Sequence, residues 1–295
     1  MLDVYSRVDM APVSVVRDMK GKEILPLEKA DLSLLYSTGW REPQKIAVKS
    51  ADGITDLYGV MYPPFDMDST RKYPLVVYVY PGPQEDQVPQ AFSMDDNGNQ
   101  ALAQLGLIVI HIGYRGGSMF RGKNFYNFGY GNLRDYPLAD NKYGLEQLIA
   151  RYSFIDGTKV GIFGHSGGGS MTVAAICTYP DFYKAAVASS GNYDNTIFDY
   201  GWSEIHHGIK EVTKEGKVSF EFSIPVHLEL AMNLKGHLML VTGDADDTVN
   251  PANTSRMVHS LILAGKDFEL VVLPGQRHGY MGLAKEYYFR KMWRH

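Results

Sequence analysis

The sequence predicts an α/β fold in which a mostly parallel central sheet is covered by helices on both faces. Short, nearly continuous apolar runs at 107–112, 159–163 and 237–242 alternate with stretches typical of helices. Strands without polar alternation are buried on both faces, as in parallel sheets. The chain has 295 residues, 45% of them hydrophobic, which is enough for a full core. Such folds place their chemistry at the carboxyl ends of the strands.

Composition and charge exclude several classes of protein. The net charge is −4 and the basic residues are scattered, so no nucleic-acid-binding surface is expected. The single cysteine, Cys177, is expected to be a small buried hydrophobe, so disulfides play no part. No apolar run approaches the roughly 18 residues of a membrane span. The cysteine content does not reveal the compartment. Residues 1–25 carry no signal-peptide pattern.

The first part of the chain reads as short antiparallel strands. Residues 13–17 and 23–27 flank a turn at Lys20-Gly21-Lys22. A hairpin of residues 45–49 and 54–61 follows, turning at Asp52-Gly53. We expect residues 1–35 to be poorly anchored or packed on the body formed by residues 36–295.

One pentapeptide, Gly164-His165-Ser166-Gly167-Gly168, has the form Gly-x-Ser-x-Gly. An apolar run at 159–163 precedes it and a helix-like run at 171–176 follows. A serine on the sharp turn between a strand and a helix projects its hydroxyl over the sheet edge, and the flanking glycines avoid collision with neighbouring backbone. Ser166 is therefore the predicted nucleophile.

A nucleophilic serine needs a histidine base and an acid to orient it. In α/β-hydrolases both follow the serine, the acid first. Here a core strand at 237–242 leads into an aspartate-rich loop, and a strand at 268–274 leads into a loop containing His278. Asp246 is the predicted acid, with Asp247 as the alternative, and His278 is the predicted base. His259 on the intervening helix and the terminal His295 are the less favoured histidines.

These motifs resemble those of the C-terminal catalytic domain of the prolyl oligopeptidase family of serine peptidases, particularly its dipeptidyl peptidase IV branch. The resemblance covers nearly the whole chain. Its motifs are the strand and Gly-Pro turn at 73–83, Gly-Tyr-Arg-Gly-Gly at 113–117, the Ser166 pentapeptide, Gly-x-x-Asp-x-x-Val at 243–249 and His278-Gly279. The family resemblance implies that Tyr80 donates its phenol to the oxyanion hole, with the amide of Gly167 as the second donor.

Two departures from the family pattern flank the serine. Relatives usually carry an aromatic residue on each side of it, where this chain has His165 and Gly167. The amide of Gly167 is unaffected by the missing side chain, although its geometry can loosen. His165 is expected to be a packed residue of the turn rather than a second base.

The resemblance also implies a substrate pocket. Phe198 and Trp202 take the places of two pocket tyrosines spaced four residues apart, and Val249 forms another wall. Thr248 stands where relatives have an asparagine that holds a substrate carbonyl, so that contact is in doubt. The alternative for these aromatic residues is a purely structural place in the core.

The implied function is that of a serine peptidase, of the dipeptidyl-peptidase type, acting after proline or alanine, with no metal or organic cofactor. A carboxylic-ester hydrolase and an acylaminoacyl-type peptidase would use the same triad, and a non-catalytic binding protein is a third alternative. The resemblance further implies a β-propeller before the catalytic domain, with residues 1–35 as the remnant of its last blade and a linker. It also suggests a homodimer and a periplasmic or otherwise extracytoplasmic location.

Overall fold

The computed structural model describes residues 1–221 and 224–295. The strands are β1 (Leu2–Arg7), β2 (Met10–Arg17), β3 (Glu23–Lys29), β4 (Gln44–Lys49), β5 (Asp56–Tyr62), β6 (Tyr73–Tyr78), β7 (Ile108–Ile112), β8 (Ile155–His165), β9 (Tyr183–Ser189), β10 (Lys210–Lys214), β11 (Lys217–Glu221), β12 (His237–Gly243) and β13 (Glu269–Leu273). The α-helices are α1 (Ser33–Ser37), α2 (Asn99–Ala103), α3 (Lys123–Tyr126), α4 (Leu138–Arg151), α5 (Gly167–Thr178), α6 (Tyr200–His207), α7 (Ala252–Leu263) and α8 (Gly282–Arg294). Short 3-10 helices occur at Met119–Arg121, Asn195–Ile197 and Leu228–Asn233.

Eight strands form the central sheet, in the spatial order β4-β5-β7-β6-β8-β9-β12-β13. The six strands from β7 to β13 in this order pair in parallel. The first two strands in space, β4 and β5, form the antiparallel hairpin that the sequence predicts, and β5 pairs antiparallel with β7. The carboxyl ends of β8, β12 and β13 therefore meet along one edge, where the sequence places the serine, the acid and the histidine.

Alternate side chains of the strands pack into two separate cores, because successive residues of a strand point to opposite faces. On one face the strand side chains pack with α4, α5 and α7, through residues such as Leu145, Ile176 and Leu261. On the other face they pack with α2 and α8, through residues such as Leu102 and Met292. Helices thus cover both faces, as the apolar runs predict.

The three N-terminal strands form a separate antiparallel sheet, β1-β2-β3. It packs on the body through Val8, which is buried in the same core cluster as Val60 and Tyr62. An ion pair between Asp9 and Lys45 (2.7 Å) adds a polar contact at the surface. The turn between β1 and β2 is thus packed on the body, whereas β3 is exposed along its whole length. Strand β1 is an element that the sequence pattern did not predict.

A second small sheet, the antiparallel hairpin β10-β11, follows α6. Its strand β11 is exposed along its whole length. In the described part of the chain, no helix combines the length and apolar character needed to cross a membrane.

Candidate active site

Ser166 lies on a strained turn between the end of β8 and the start of α5. Its backbone angles are φ 59° and ψ −123°, a region that costs a non-glycine residue about 1–3 kcal/mol. The surroundings hold it there: its amide donates to the carbonyl of Ser189 (2.8 Å), and its carbonyl accepts from the amide of Ser170 (3.0 Å). The hydroxyl is thereby presented beside the amino end of a 12-residue helix.

The glycines around the serine are required by close approach of backbone. A Cβ added to Gly164 would lie 2.5 Å from the carbonyl oxygen of Val79, and one added to Gly168 would collide with that same oxygen. A Cβ added to Gly167 would lie 2.8 Å from the carbonyl oxygen of Pro81. The end of β6 and the following turn therefore pack directly on the serine turn, as the Gly-x-Ser-x-Gly spacing predicts.

The structure brings Asp246 and His278 together at the ends of β12 and β13. Nδ1 of His278 lies 2.9 Å and 3.1 Å from the two carboxylate oxygens of Asp246. The amides of Thr248 and Val249 also donate to this carboxylate, at 3.0 Å and 2.9 Å. The alternative acid, Asp247, is exposed and pairs instead with Arg277. The geometry therefore favours Asp246 over Asp247 as the partner of His278.

The Asp246 carboxylate is fully buried, and burial alone would raise its pKa. Hydrogen bonds from His278, the Val249 amide and the Ser190 hydroxyl outweigh that effect and lower the pKa of Asp246 below its ordinary value. The carboxylate consequently stays ionised and accepts from His278. The other two candidate histidines lie elsewhere: His259 is exposed on α7, and His295 contacts Glu269.

Tyr80 lies next to Ser166. Burial raises the pKa of the Tyr80 phenol, the charge of Glu85 adds to this, and a hydrogen bond with the Ser166 side chain opposes it. In the described residues, no hydrogen bond joins the Ser166 hydroxyl to His278. Contacts of this kind often tighten only when substrate binds.

The turn that carries Tyr80 is held by Tyr114. The single proton of the Tyr114 phenol is shared between the carbonyls of Tyr80 and Glu85, the latter at 2.9 Å. Because Tyr114 is fully buried, its pKa lies well above the ordinary value and the phenol remains a donor. The sequence analysis includes Tyr114 in the motif at 113–117 but gives it no role, since a tyrosine after a strand has no local pattern that marks one.

The predicted pocket residues fall into two groups. Phe198 and Trp202 pack edge to face, with ring centroids 5.1 Å apart. Val249 is buried and Thr248 exposed on the Asp246 turn. Trp202 also packs against His206, at 5.0 Å. A spacing of four residues thus fits Trp202 and His206 as well as Phe198 and Trp202, and the sequence reasoning missed His206.

His206 also lines a narrow cleft beside the Tyr80 turn. Its other walls are residues of that turn and of the aromatic segment before α4, namely Pro83, Gln84, Gly116, Tyr126, Asn127, Gly129, Tyr130, Leu133 and Tyr136. The described residues hold no cluster of three or more His, Cys, Asp or Glu side chains suited to a metal ion.

A strained serine after the fifth strand of the central sheet, with an acid and a histidine after the seventh and eighth, defines the α/β-hydrolase class of proteins. Within that class the family can be stated. The chain belongs to the prolyl oligopeptidase family (peptidase S9), whose model matches residues 92–295.

Similar proteins include dipeptidyl peptidase 8 of Homo sapiens, 32% identical over 80% of this chain and 26% of that protein. Prolyl endopeptidase FAP of Mus musculus is 27% identical over 91% of the chain and 35% of that protein. Among solved structures, a dipeptidyl aminopeptidase IV of Bacteroides ovatus matches 99% of the chain and 41% of its own length, with TM-score 0.87 and 29% identity. Dipeptidyl peptidase 4 of Porphyromonas gingivalis (TM-score 0.83, 24% identity) shares the fold over 99% of this chain and 41% of that one. The chain therefore spans well under half the length of these relatives.

Proposed function

We propose that this chain is the catalytic part of a serine peptidase of the dipeptidyl-peptidase type, which cleaves after proline or alanine. The observation that carries the proposal is the buried Asp246–His278 hydrogen bond at the sheet edge that also carries the strained Ser166. Membership of a peptidase family supports the reaction class, and the names of its relatives support the dipeptidyl type.

In this mechanism His278 removes the proton of Ser166 as the serine attacks the peptide carbonyl. Asp246 holds the His278 ring with its Nδ1 protonated, leaving Nε2 free as the base, and stabilises the imidazolium that forms. His278 then protonates the leaving amine, and water hydrolyses the acyl-enzyme by the same route.

The Tyr80 phenol and the Gly167 amide are the proposed donors to the oxyanion. Two observations support them. The backbone of Tyr80 packs against Gly168 of the serine turn, and Gly167 packs against the turn that follows Tyr80. The raised pKa of the half-buried phenol keeps its proton in place for donation. Removal of one such donor typically costs about 2.7–4 kcal/mol of transition-state stabilisation.

Substrate selection is proposed to use the aromatic residues Phe198 and Trp202 together with Val249. A small apolar side chain such as that of proline suits walls of this kind. Thr248 offers a hydroxyl where relatives offer an amide, so the contact with a substrate carbonyl is expected to be weaker here.

Labelling with a fluorophosphonate probe tests this proposal. We expect a single adduct on Ser166, mapped by peptide mass spectrometry, and no adduct in the Ser166→Ala variant. Cleavage of Xaa-Pro and Xaa-Ala anilides, compared with N-acylated anilides and simple esters, then separates the dipeptidyl type from acylaminoacyl and ester hydrolysis. A folded protein that leaves the probe unreacted would contradict the proposal.

Two partners are also proposed. The first is a longer N-terminal domain, a β-propeller by resemblance, of which the β1-β2-β3 sheet would be the end; the greater length of the relatives supports it. The second is another copy of the chain. Strand β13 is an edge of the central sheet with exposed Leu270 and Val272, and an open apolar edge favours pairing. Analytical ultracentrifugation measures the oligomeric state.

A further inference from the structure

A second imidazole lies directly against the proposed base. The ring centroid of His165 is 4.7 Å from that of His278, with the planes tilted by 52°. Tyr280 packs edge-on to His165, at 5.4 Å and 87°. Because His165 is the last residue of β8 and precedes Ser166, this contact joins the serine turn to the histidine loop. Unlike a plain aromatic ring, an imidazole also offers two nitrogens for hydrogen bonding.

A chain of short polar contacts leads from His165 to the acid. Nδ1 of His165 lies 2.6 Å from the hydroxyl of Ser189, which in turn donates to the phenol of Tyr280 (3.1 Å). The same phenol lies 3.0 Å from the hydroxyl of Ser190, and hydrogen bonding by the Ser190 side chain helps to lower the pKa of Asp246. These side chains come from β8, from the end of β9 and from the two loops after β12 and β13.

Each group of this chain can both donate and accept. A neutral imidazole has one N–H donor and one acceptor nitrogen, and each hydroxyl can donate its proton and accept another. Burial, and secondly the charge of His278, lower the pKa of His165 to about 4, while the charge of Asp246 and a hydrogen bond to the His278 backbone oppose this shift. The His165 ring is therefore neutral at pH 7 and can hydrogen-bond Ser189 through Nδ1 in either tautomer.

We propose that His165 is a positioning residue, which fixes the place of His278 relative to Ser166 in two ways: through ring contact, and through the hydrogen bonds that run from Ser189 to Tyr280 and Ser190, called here the donor chain. This inference rests on the proposed function, because it assigns His165 a part in the same reaction. In this proposal His165 acts through His278 and not directly on the substrate.

Two single variants and their double variant test the donor chain. His165→Phe keeps an aromatic ring against His278 and removes both nitrogens, while Tyr280→Phe removes only the phenol between the two serines. We expect each to lower kcat by about 10-fold with KM unchanged, since coupled neighbours typically contribute on this scale. The double variant should be no slower than the slower single variant, because both changes break the same chain.

Two further variants complete the experiment. His165→Asn retains a side-chain donor near the position of Nδ1 and should restore part of kcat. The matched control is Tyr183→Phe, which removes a buried phenol of β9 that donates to Asn141 (3.0 Å), and it should label as fast as the unaltered protein. The rate of fluorophosphonate labelling at Ser166 is the second readout, and thermal unfolding checks that each variant is folded.

The outcomes separate the two proposals. An unaltered protein that the probe does not label overturns the proposed function and this inference with it. Labelling and kcat of His165→Phe that equal those of the unaltered protein overturn the inference alone. Additive losses in the double variant, or a slow His165→Phe beside an unaffected Tyr280→Phe, overturn the donor chain.

Discussion

Replacing Asp246 with asparagine should reduce kcat by about 10⁴-fold while leaving the fold intact. The asparagine oxygen can still accept from the amides of Thr248 and Val249, which now bond one carboxylate oxygen. The amide nitrogen then faces Nδ1 of His278 in place of the second oxygen, which lies 2.9 Å away. A donor at that point forces the His278 tautomer whose Nε2 carries the proton, and this tautomer cannot accept the proton of Ser166. Loss of the correct tautomer typically costs about 10⁴-fold, which corresponds to roughly 5.5 kcal/mol.

The assay is steady-state hydrolysis of an Xaa-Pro anilide, with the rate of fluorophosphonate labelling as a second measure. Asp247→Asn is the matched control. Its carboxylate is exposed and pairs with Arg277 at the surface, so a change below about 2-fold is expected. If Asp246→Asn retained a tenth of the activity, or if Asp247→Asn were the slower variant, the assignment of the acid would be wrong.

Three further predictions concern other parts of the structure. Tyr80→Phe should lower kcat by about 10²–10³-fold with little change in KM, measured on the same anilide, and an unchanged kcat would remove the phenol from the oxyanion hole. Gly168→Ala should abolish labelling of Ser166 because the new methyl group collides with the carbonyl of Val79, and normal labelling would show that this packing is not needed. Burial raises the pKa of Asp86 to about 6, so the folded state binds more protons than the unfolded state between about pH 4 and 6, and stability falls as pH rises through that window. Denaturant titrations should show Asp86→Asn to be more stable than the unaltered protein at pH 7 by about 2–3 kcal/mol, with no difference near pH 4; equal stability at pH 7 would refute the burial argument.

Local patterns predicted the parts of the site that local geometry dictates. The serine turn was predictable because close backbone approach excludes side chains at Gly164 and Gly168. The two glycines of the Gly-x-Ser-x-Gly pentapeptide show this requirement directly in the sequence. The alternation of apolar runs likewise predicted the parallel sheet with helices on both faces. The sequence ranked Asp246 ahead of Asp247 but left both possible, because only the direction of each carboxylate in the folded loop separates them.

The sequence could not predict the contacts between residues that are far apart along the chain. His165 and Ser189 are 24 residues apart and Ser189 and Tyr280 are 91 apart, so no spacing rule connects them. The position of Ser189 and Ser190 at the carboxyl end of a parallel strand was the available signal. The choice of the two aromatic pocket residues was ambiguous for a different reason. Phe198, Trp202 and His206 follow one another at intervals of four residues, and the rings of each neighbouring pair pack together in the structure.

The acid and the base are carried by loops that touch each other. The carboxylate of Asp244 accepts from the amide of Gly275 (2.6 Å), and the amide of Ala245 donates to the carbonyl of Gln276 (3.1 Å). The aromatic residues of the proposed pocket lie instead on the separate segment around α6. Replacing the α6 segment should therefore alter which peptides are cleaved, while the two loops that carry Asp246 and His278 keep their contacts with each other. Directed evolution of selectivity in this chain should accordingly accumulate its changes between residues 195 and 208 and at Thr248 and Val249, and spare residues 243–247 and 275–280.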